Sequence, residues 1–223
     1  MEVPHDFPYT DRPWPQPERN KAAMISRLDA SVGRLLRKLQ DLELDQNTLV
    51  FFSSDNGPHR VGGTDPAFFR SSGPLRGIKR DLYEGGIRVP MIARWPGVIS
   101  AGRTSEQAWA FWDFLPTVAD LLRQPLAGRP TDGISVLPAL LGKRLGKHPP
   151  FYWEFHEGGF SQAARIGAWK AIRRPGQALE LYHLGKDPGE ERDVAALRPR
   201  EAAAMEAYLR RARTHSEHWP VPP

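Results

Sequence analysis

The feature that most constrains this chain is a helical period running almost directly into a strand. From Glu18 to Leu42 the apolar residues Ile25, Leu28, Val32, Leu35, Leu36 and Leu39 recur at helical spacing. A few residues later, Thr48 to Ser53 reads TLVFFS, a β-branched and aromatic run without polar alternation. Such runs suit a strand buried on both faces, as in a parallel sheet covered by helices. Helix, short loop and buried strand make half of an α/β unit, so the pattern predicts an α/β fold. The strand then ends abruptly in Asp55-Asn56-Gly57-Pro58-His59. Either this is an ordinary surface turn, or the strand end presents oxygen atoms to something positive.

Downstream, Gly57 to Arg80 is a long loop rich in Gly, Ser and Pro. Phe68, Phe69 and Leu75 give it apolar groups to bury, which argues for an ordered, functional loop. RVPMIARWPG predicts a second strand over Val89–Arg94, closed by a Pro-Gly turn. FWDFLPTVADLLRQ predicts a helix with Asp113 placed to cap it and Pro116 in its first turn. The composition shifts near LGKRLGKHPP. Three strand-like pieces follow, Phe151–Phe155, Ala163–Arg173 and Ala178–Leu184, then the turn cluster GKDPGEERD and a terminal helix over Arg198–Arg213. Strands in succession followed by one helix predict a small antiparallel sheet with a helix on one face. The expected organisation is therefore residues 1–147 as part of an α/β domain, a mixed or mostly parallel partial sheet flanked by helices. Residues 148–223 would form a small α+β subdomain.

Charge and composition narrow the partners. The net charge is +5 and the pI about 9.7, which suits an anionic partner or substrate. The charges are mixed in sign along most of the chain, however, as in a solvated surface. The Arg-rich YLRRARTH segment lies among acids and matches no nucleic-acid-binding module, so no nucleic acid partner is expected. The absence of cysteine excludes disulfides, thiolate metal sites and thiol catalysis within these residues. No apolar run reaches the ~20 residues that span a bilayer, so no membrane span is expected. The start, MEVPHDFPYTDRPWPQPER, does not read as a signal peptide; it reads like the middle of a domain.

A few residues carry candidate chemistry. In open α/β sheets, ligands bind beyond the carboxyl ends of the strands. The adjacent carboxylate and carboxamide oxygens of Asp55 and Asn56 suit a hard cation such as Ca²⁺ or Mg²⁺, with Gly57 permitting the sharp turn. Asp-Asn-Gly is also a common structural turn. Lys79, within GPLRGIKRDLYEGGIRVP, is a mobile point charge in a glycine-bounded loop, suited to an oxyanion or simply to solvent. His59 shares the loop that follows Asp55. His215 and His218 have a spacing that could bind zinc on a helix, but they read better as a frayed tail. GFSQA, from Gly159 to Ala163, only half matches a nucleophile elbow, because Ala163 replaces the second glycine.

Together these segments resemble one family. NTLVFFSSDNGPH followed by SSGPLRGIKRDLYEGGIRVPMIARWPG is similar to the later part of the catalytic region of arylsulfatase-type sulfatases, of the alkaline-phosphatase-like superfamily. AAMISRLDASVGRLL, DFLPTVADLL, IGAWKAI and ELYHLGKDPGEERDVA are similar to further segments of that family. The resemblance implies Asp55 and Asn56 as Ca²⁺ ligands, Lys79 as a sulfate contact and His59 as a substrate contact. It implies a sulfate ester, aryl or carbohydrate, as substrate. The family's nucleophile is a formylglycine made from cysteine in a Cys-x-Pro-x-Arg stretch, which this chain lacks. SGPLRG (Ser72–Gly77) matches the serine version of that stretch, but it falls in the lysine segment and precedes a loop rather than opening a helix.

The family's N-terminal paired aspartates, and the histidine and lysine that follow its nucleophile, have no counterpart here either. The chain is expected to be the back portion of a sulfatase. Alone, it is expected to be inactive and to bind Ca²⁺ weakly or not at all. Three other readings stay open: a related phosphodiester or phosphonate hydrolase fragment, a non-catalytic domain that holds sulfated glycans, and a nucleic-acid binder.

Overall fold

The computed structural model describes residues 2–128 and 130–220. The chain forms two compact units that meet in sequence between Gly97 and Val98.

The first unit opens with helix α1 (Gln16–Asp41). Pro17 sits in its first turn, where a missing N–H costs nothing. Arg19 Nε lies 2.7 Å from Asp6 Oδ2, tying the incoming chain to that turn and holding the Asp6 carboxyl below its usual range. The side of α1 turned inward is carried by Ala23 and by the buried Glu18, whose Oε1 accepts from the amide of Asp65. The apolar stripe is only partly covered: Ile25 is 55% exposed, Leu28 53% and Leu35 67%, while Val32, Leu36 and Leu39 are half-buried. Periodicity placed those residues on one face correctly, but burial also requires an element to cover that face.

A 3-10 turn (Asp45–Asn47) leads into strand β1 (Val50–Ser53). Next come the long loop, a single helical turn α2 (Glu84–Ile87) and strand β2 (Met91–Arg94). The two strands pair antiparallel, Val50 opposite Arg94 and Ser53 opposite Met91. β2 starts later than the expected Val89 because Pro90 has no N–H for a ladder. Arg94 grips Asp45 with both guanidinium nitrogens, at 2.6 and 3.0 Å, and lowers that carboxyl's pKa. The expectation that β1 is buried on both faces is overturned: its residues are half-buried or exposed, with Phe52 37% exposed.

The second unit contains α3 (Phe114–Leu121), α4 (Leu137–Leu140), strands β3 (Phe151–Phe155), β4 (Ser161–Ile166), β5 (Trp169–Arg173) and β6 (Glu180–His183), and helix α5 (Pro199–Ala212). The four strands form one antiparallel meander in sequence order. The single strand expected over Ala163–Arg173 is a hairpin, because Gly167, at φ 61°, reverses the chain between the paired Ile166 and Trp169. One sheet face packs on α5: Ala164, Ala171, Leu181, Met205 and Leu209 form a sealed core. Phe151 and Trp153 stack 5.7 Å apart, and Trp112 packs against both. Lys170 and Glu190, both wholly buried, pair at 2.8 Å. Asp113 does not cap α3 itself, but its side chain caps the 3-10 turn Phe111–Asp113 that leads into it. It is buried, accepts from the amides of Ala110 and Ile134, and meets His148 Nε2 at 2.9 Å.

Candidate functional site

The backbone turns sharply as soon as β1 ends. Ser54 Oγ donates to the carbonyl of Asn56 at 2.8 Å, and the Gly57 amide donates to the carbonyl of Gly86 at 2.9 Å. The turn after the strand is therefore stitched to α2. The glycines here are steric requirements. A Cβ on Gly57 would sit 1.8 Å from the Gly85 carbonyl oxygen, and one on Gly86 would sit 2.1 Å from the Asp81 oxygen. Contacts that short are forbidden, so only glycine lets the two backbones meet.

The same stitching captures the Lys79 segment. The Gly85 amide donates to Arg76 O at 2.6 Å, the Ile78 amide to Asp81 Oδ2 at 2.9 Å, and the Lys79 amide to Pro58 O at 2.9 Å. Lys79 is thus bonded through its backbone to the turn that carries Asp55 and Asn56. The Arg76 guanidinium lies 3.9 Å from the Tyr83 ring centroid and closes the other side of the loop.

Asp55 is exposed and Asn56 half-buried. Asn56 Nδ2 donates to the Gly57 carbonyl at 3.0 Å, which leaves the carboxamide oxygen as its acceptor. Two adjacent hard oxygens fit a Ca²⁺ shell chemically, but that ion takes 6–8 oxygens. Among the described residues no group of three or more His, Cys, Asp or Glu side chains gathers to hold a metal. Asp55 and Asn56 can therefore supply only part of such a shell. Formylglycine finds no fit, since the chain has no cysteine. Ser72, in the serine version of that stretch, donates its Oγ to the carbonyl of Gly77 at 3.0 Å, within turns and outside any helix.

Beside the turn lies an open cavity of about 630 Å³, lined in part by Ser54, Asn56, Ser72, Leu75 and Arg88. Asp55, His59 and Lys79 are not among its lining residues. His59 Nε2 lies 3.1 Å from Arg80 Nη1; because a guanidinium only donates, that ring nitrogen is the acceptor. Arg88 is the cation of the cavity wall, and reading the sequence did not single it out. Its Nη1 lies 4.0 Å from Oε2 of the buried Glu84. The signal was available, since Glu84 and Arg88 stand one helical turn apart in EGGIR. Elsewhere, Ser161 of GFSQA begins β4 and forms no elbow, and His215 and His218 lie exposed beyond α5.

An α/β unit whose strand end is clamped to a Gly-x-Lys loop, followed along the chain by an antiparallel sheet and its helix, has the element order of the alkaline-phosphatase-like class. The chain belongs to the sulfatase family: the sulfatase family model matches residues 3–124, and a model described as N-sulphoglucosamine sulphohydrolase, C-terminal, matches residues 78–214. N-acetylgalactosamine-6-sulfatase of Canis lupus familiaris is 35% identical over an alignment that covers 74% of this chain and 37% of the relative. Arylsulfatase A of Homo sapiens is 38% identical with the same shares. The crystal structure of Ps i-CgsB in complex with k-i-k-neocarrahexaose superposes with a TM-score of 0.83 at 26% identity, covering 95% of this chain and 46% of that one. The chain thus spans well under half the length of the curated relatives it matches.

Proposed function

We propose that this chain is the back portion of a sulfatase catalytic region and that it acts, within a complete sulfatase, on a sulfate ester carried by a carbohydrate. The observation that carries this reading is the backbone bond from Lys79 to Pro58, which ties the Lys79 loop to the Asp55-Asn56 turn. That bond keeps a cation-bearing segment beside an oxygen-bearing one. Family membership supports the sulfate ester, and the dog relative's name supports a sulfated sugar.

In this reading Asp55 and the carboxamide oxygen of Asn56 contribute to a Ca²⁺ shell completed by residues of the rest of the sulfatase. Lys79 neutralises negative charge on the sulfate oxygens, with His59 close by. Preorganised cations of this kind give the electrostatic contribution that often dominates such hydrolysis. When bound, Ca²⁺ would supply a Lewis acid. The exposed stripe of α1 and the exposed Phe52 and Ile92 are the faces that the remaining catalytic core covers.

The test uses the chain as it stands. Millimolar CaCl₂ is expected to shift the amide resonances of Asp55, Asn56 and Gly57, and millimolar sodium sulfate those of Ile78, Lys79 and Arg80. Lys79→Ala should remove the sulfate response and leave the calcium response. Responses confined to other segments would sink the assignment.

A further inference from the structure

The second unit holds a pocket that this sulfatase reading does not use. It measures about 510 Å³ and is lined by Trp169, His183, Lys186, Arg192, Val194 and Arg198, together with Asp187 and Leu197. Four features set it apart from a casual surface hollow.

The first is charge. Lys186, Arg192 and Arg198 converge on one pocket, and none of their side chains makes a hydrogen bond or ion pair with another described residue. The one opposing charge, Asp187, is engaged elsewhere: its two carboxylate oxygens accept from the amides of Glu191 and Arg192 at 3.0 and 2.9 Å. The second is unspent hydrogen-bonding capacity. His183 Nδ1 is buried without a partner, although buried polar atoms are normally satisfied. The third is an apolar wall. Trp169 and Val194 pack on the sealed core beneath α5, and the Trp169 ring meets His183 edge-to-face at 4.7 Å.

The fourth is rigidity. The amides of Lys186 and Asp187 both donate to His183 O at 2.9 Å, and the Val194 amide donates to Leu181 O at 2.9 Å. Asp193 Oδ1 accepts from the amides of Leu181 and Ala195. Within the same loop, Glu190 is anchored to the buried Lys170. The cations therefore project from a braced loop, and a ligand would spend little ordering the backbone that carries them.

We propose that this pocket binds an anionic saccharide, a sugar ring bearing sulfate or carboxylate groups, and serves as an anchoring site for an acidic glycan. Arginine forks match planar carboxylate and tetrahedral sulfate oxygens in two-pronged fashion, and Lys186 adds a point charge. An inorganic ion would satisfy the cations but leave the indole and Val194 uncovered. A sugar ring covers that wall with its C–H face while its acidic groups reach the cations. The pocket is built from the second unit alone and needs neither Asp55 nor Lys79.

The experiment is calorimetric titration of the full chain, at low ionic strength, with a 6-sulfated chondroitin tetrasaccharide, and in parallel with sodium sulfate and with ATP. Binding of the tetrasaccharide is expected, weakened at least about tenfold by the double change Arg192→Ala/Arg198→Ala and also by Trp169→Ala. Every titration is run in the Lys79→Ala background, which removes the sulfate contact proposed above, so the two readings fail separately. The side chains of Arg192 and Arg198 make no hydrogen bond or ion pair with another described residue, so the double variant should keep the parent's urea midpoint and circular dichroism. No measurable tetrasaccharide binding, full binding by the double variant, or equal binding of sodium sulfate or ATP overturns the proposal.

Discussion

The two units solve the problem of burial in opposite ways. Residues 98–220 close a core of their own: the meander buries Ala164, Ala171 and Leu181 beneath Met205 and Leu209, and the sheet centre also contains the buried Ala163 and Ile172. Residues 2–97 invest their close packing in loops. There the tightest contacts are backbone against backbone, Gly57 on Gly85 and Gly86 on Asp81, while α1 and both strands leave large apolar side chains in solvent. The difference teaches that close packing in the first unit fixes loops against one another, whereas in the second it seals a core.

The comparison can be broken most readily at the Lys170–Glu190 pair. Removing one partner of a buried ion pair leaves the other charge stranded, which typically costs about 3–5 kcal/mol. Lys170→Met is expected to lower the urea stability of the second unit by that order, and Lys170→Met/Glu190→Leu should recover most of the loss. If the single variant unfolds at the parent's midpoint, the second unit is not held from within.

A middle-sized effect is expected at Gly57→Ala. Its methyl cannot coexist with the Gly85 carbonyl, and overpacking of this kind costs about 1–3 kcal/mol. The loss should be local. Hydrogen exchange at the Lys79, Gly85 and Gly57 amides should speed up, with the sheet of the second unit unaffected. Unchanged protection of those three amides would show that the clamp does not depend on the glycine.

The smallest effect sharpens the contrast. Leu28 lies on the stripe of α1 that is open to solvent, so Leu28→Ser should change the stability of this chain by no more than about 0.5 kcal/mol. A core leucine would cost several times more. A large loss at Leu28 would mean that the stripe is covered in solution, by a second copy or by another part of the protein.

The local code of this chain was easy to read. Helix α1, strand β3 over Phe151–Phe155, the turn after β1 and the terminal helix all follow from spacing, β-branching and glycine placement, which are properties of short windows of sequence. The motif residues Asp55, Asn56 and Lys79 could likewise be picked out, because Asp-Asn-Gly, Gly-x-Lys and Glu-Gly-Gly stand close together along the chain. The spacing of Glu84 and Arg88 hints at their pairing, but the place of Arg88 in a cavity wall depends on how α2 meets the turn after β1. The capping of Ala110 by Asp113 is local and legible, whereas its bonds to the Ile134 amide and to His148 join distant segments and are not.

By itself, then, the sequence determined which segments are helical or extended, where the chain must turn, and which family it belongs to. Only the tertiary structure decided which apolar faces are covered, that Gly57, Gly85 and Gly86 join two loops rather than merely bending them, and that Lys170 pairs with Glu190 in the interior. The physical reason is one of range. Backbone preference is set by a residue and its near neighbours, whereas burial, desolvation and steric closeness are set by whatever the fold brings alongside.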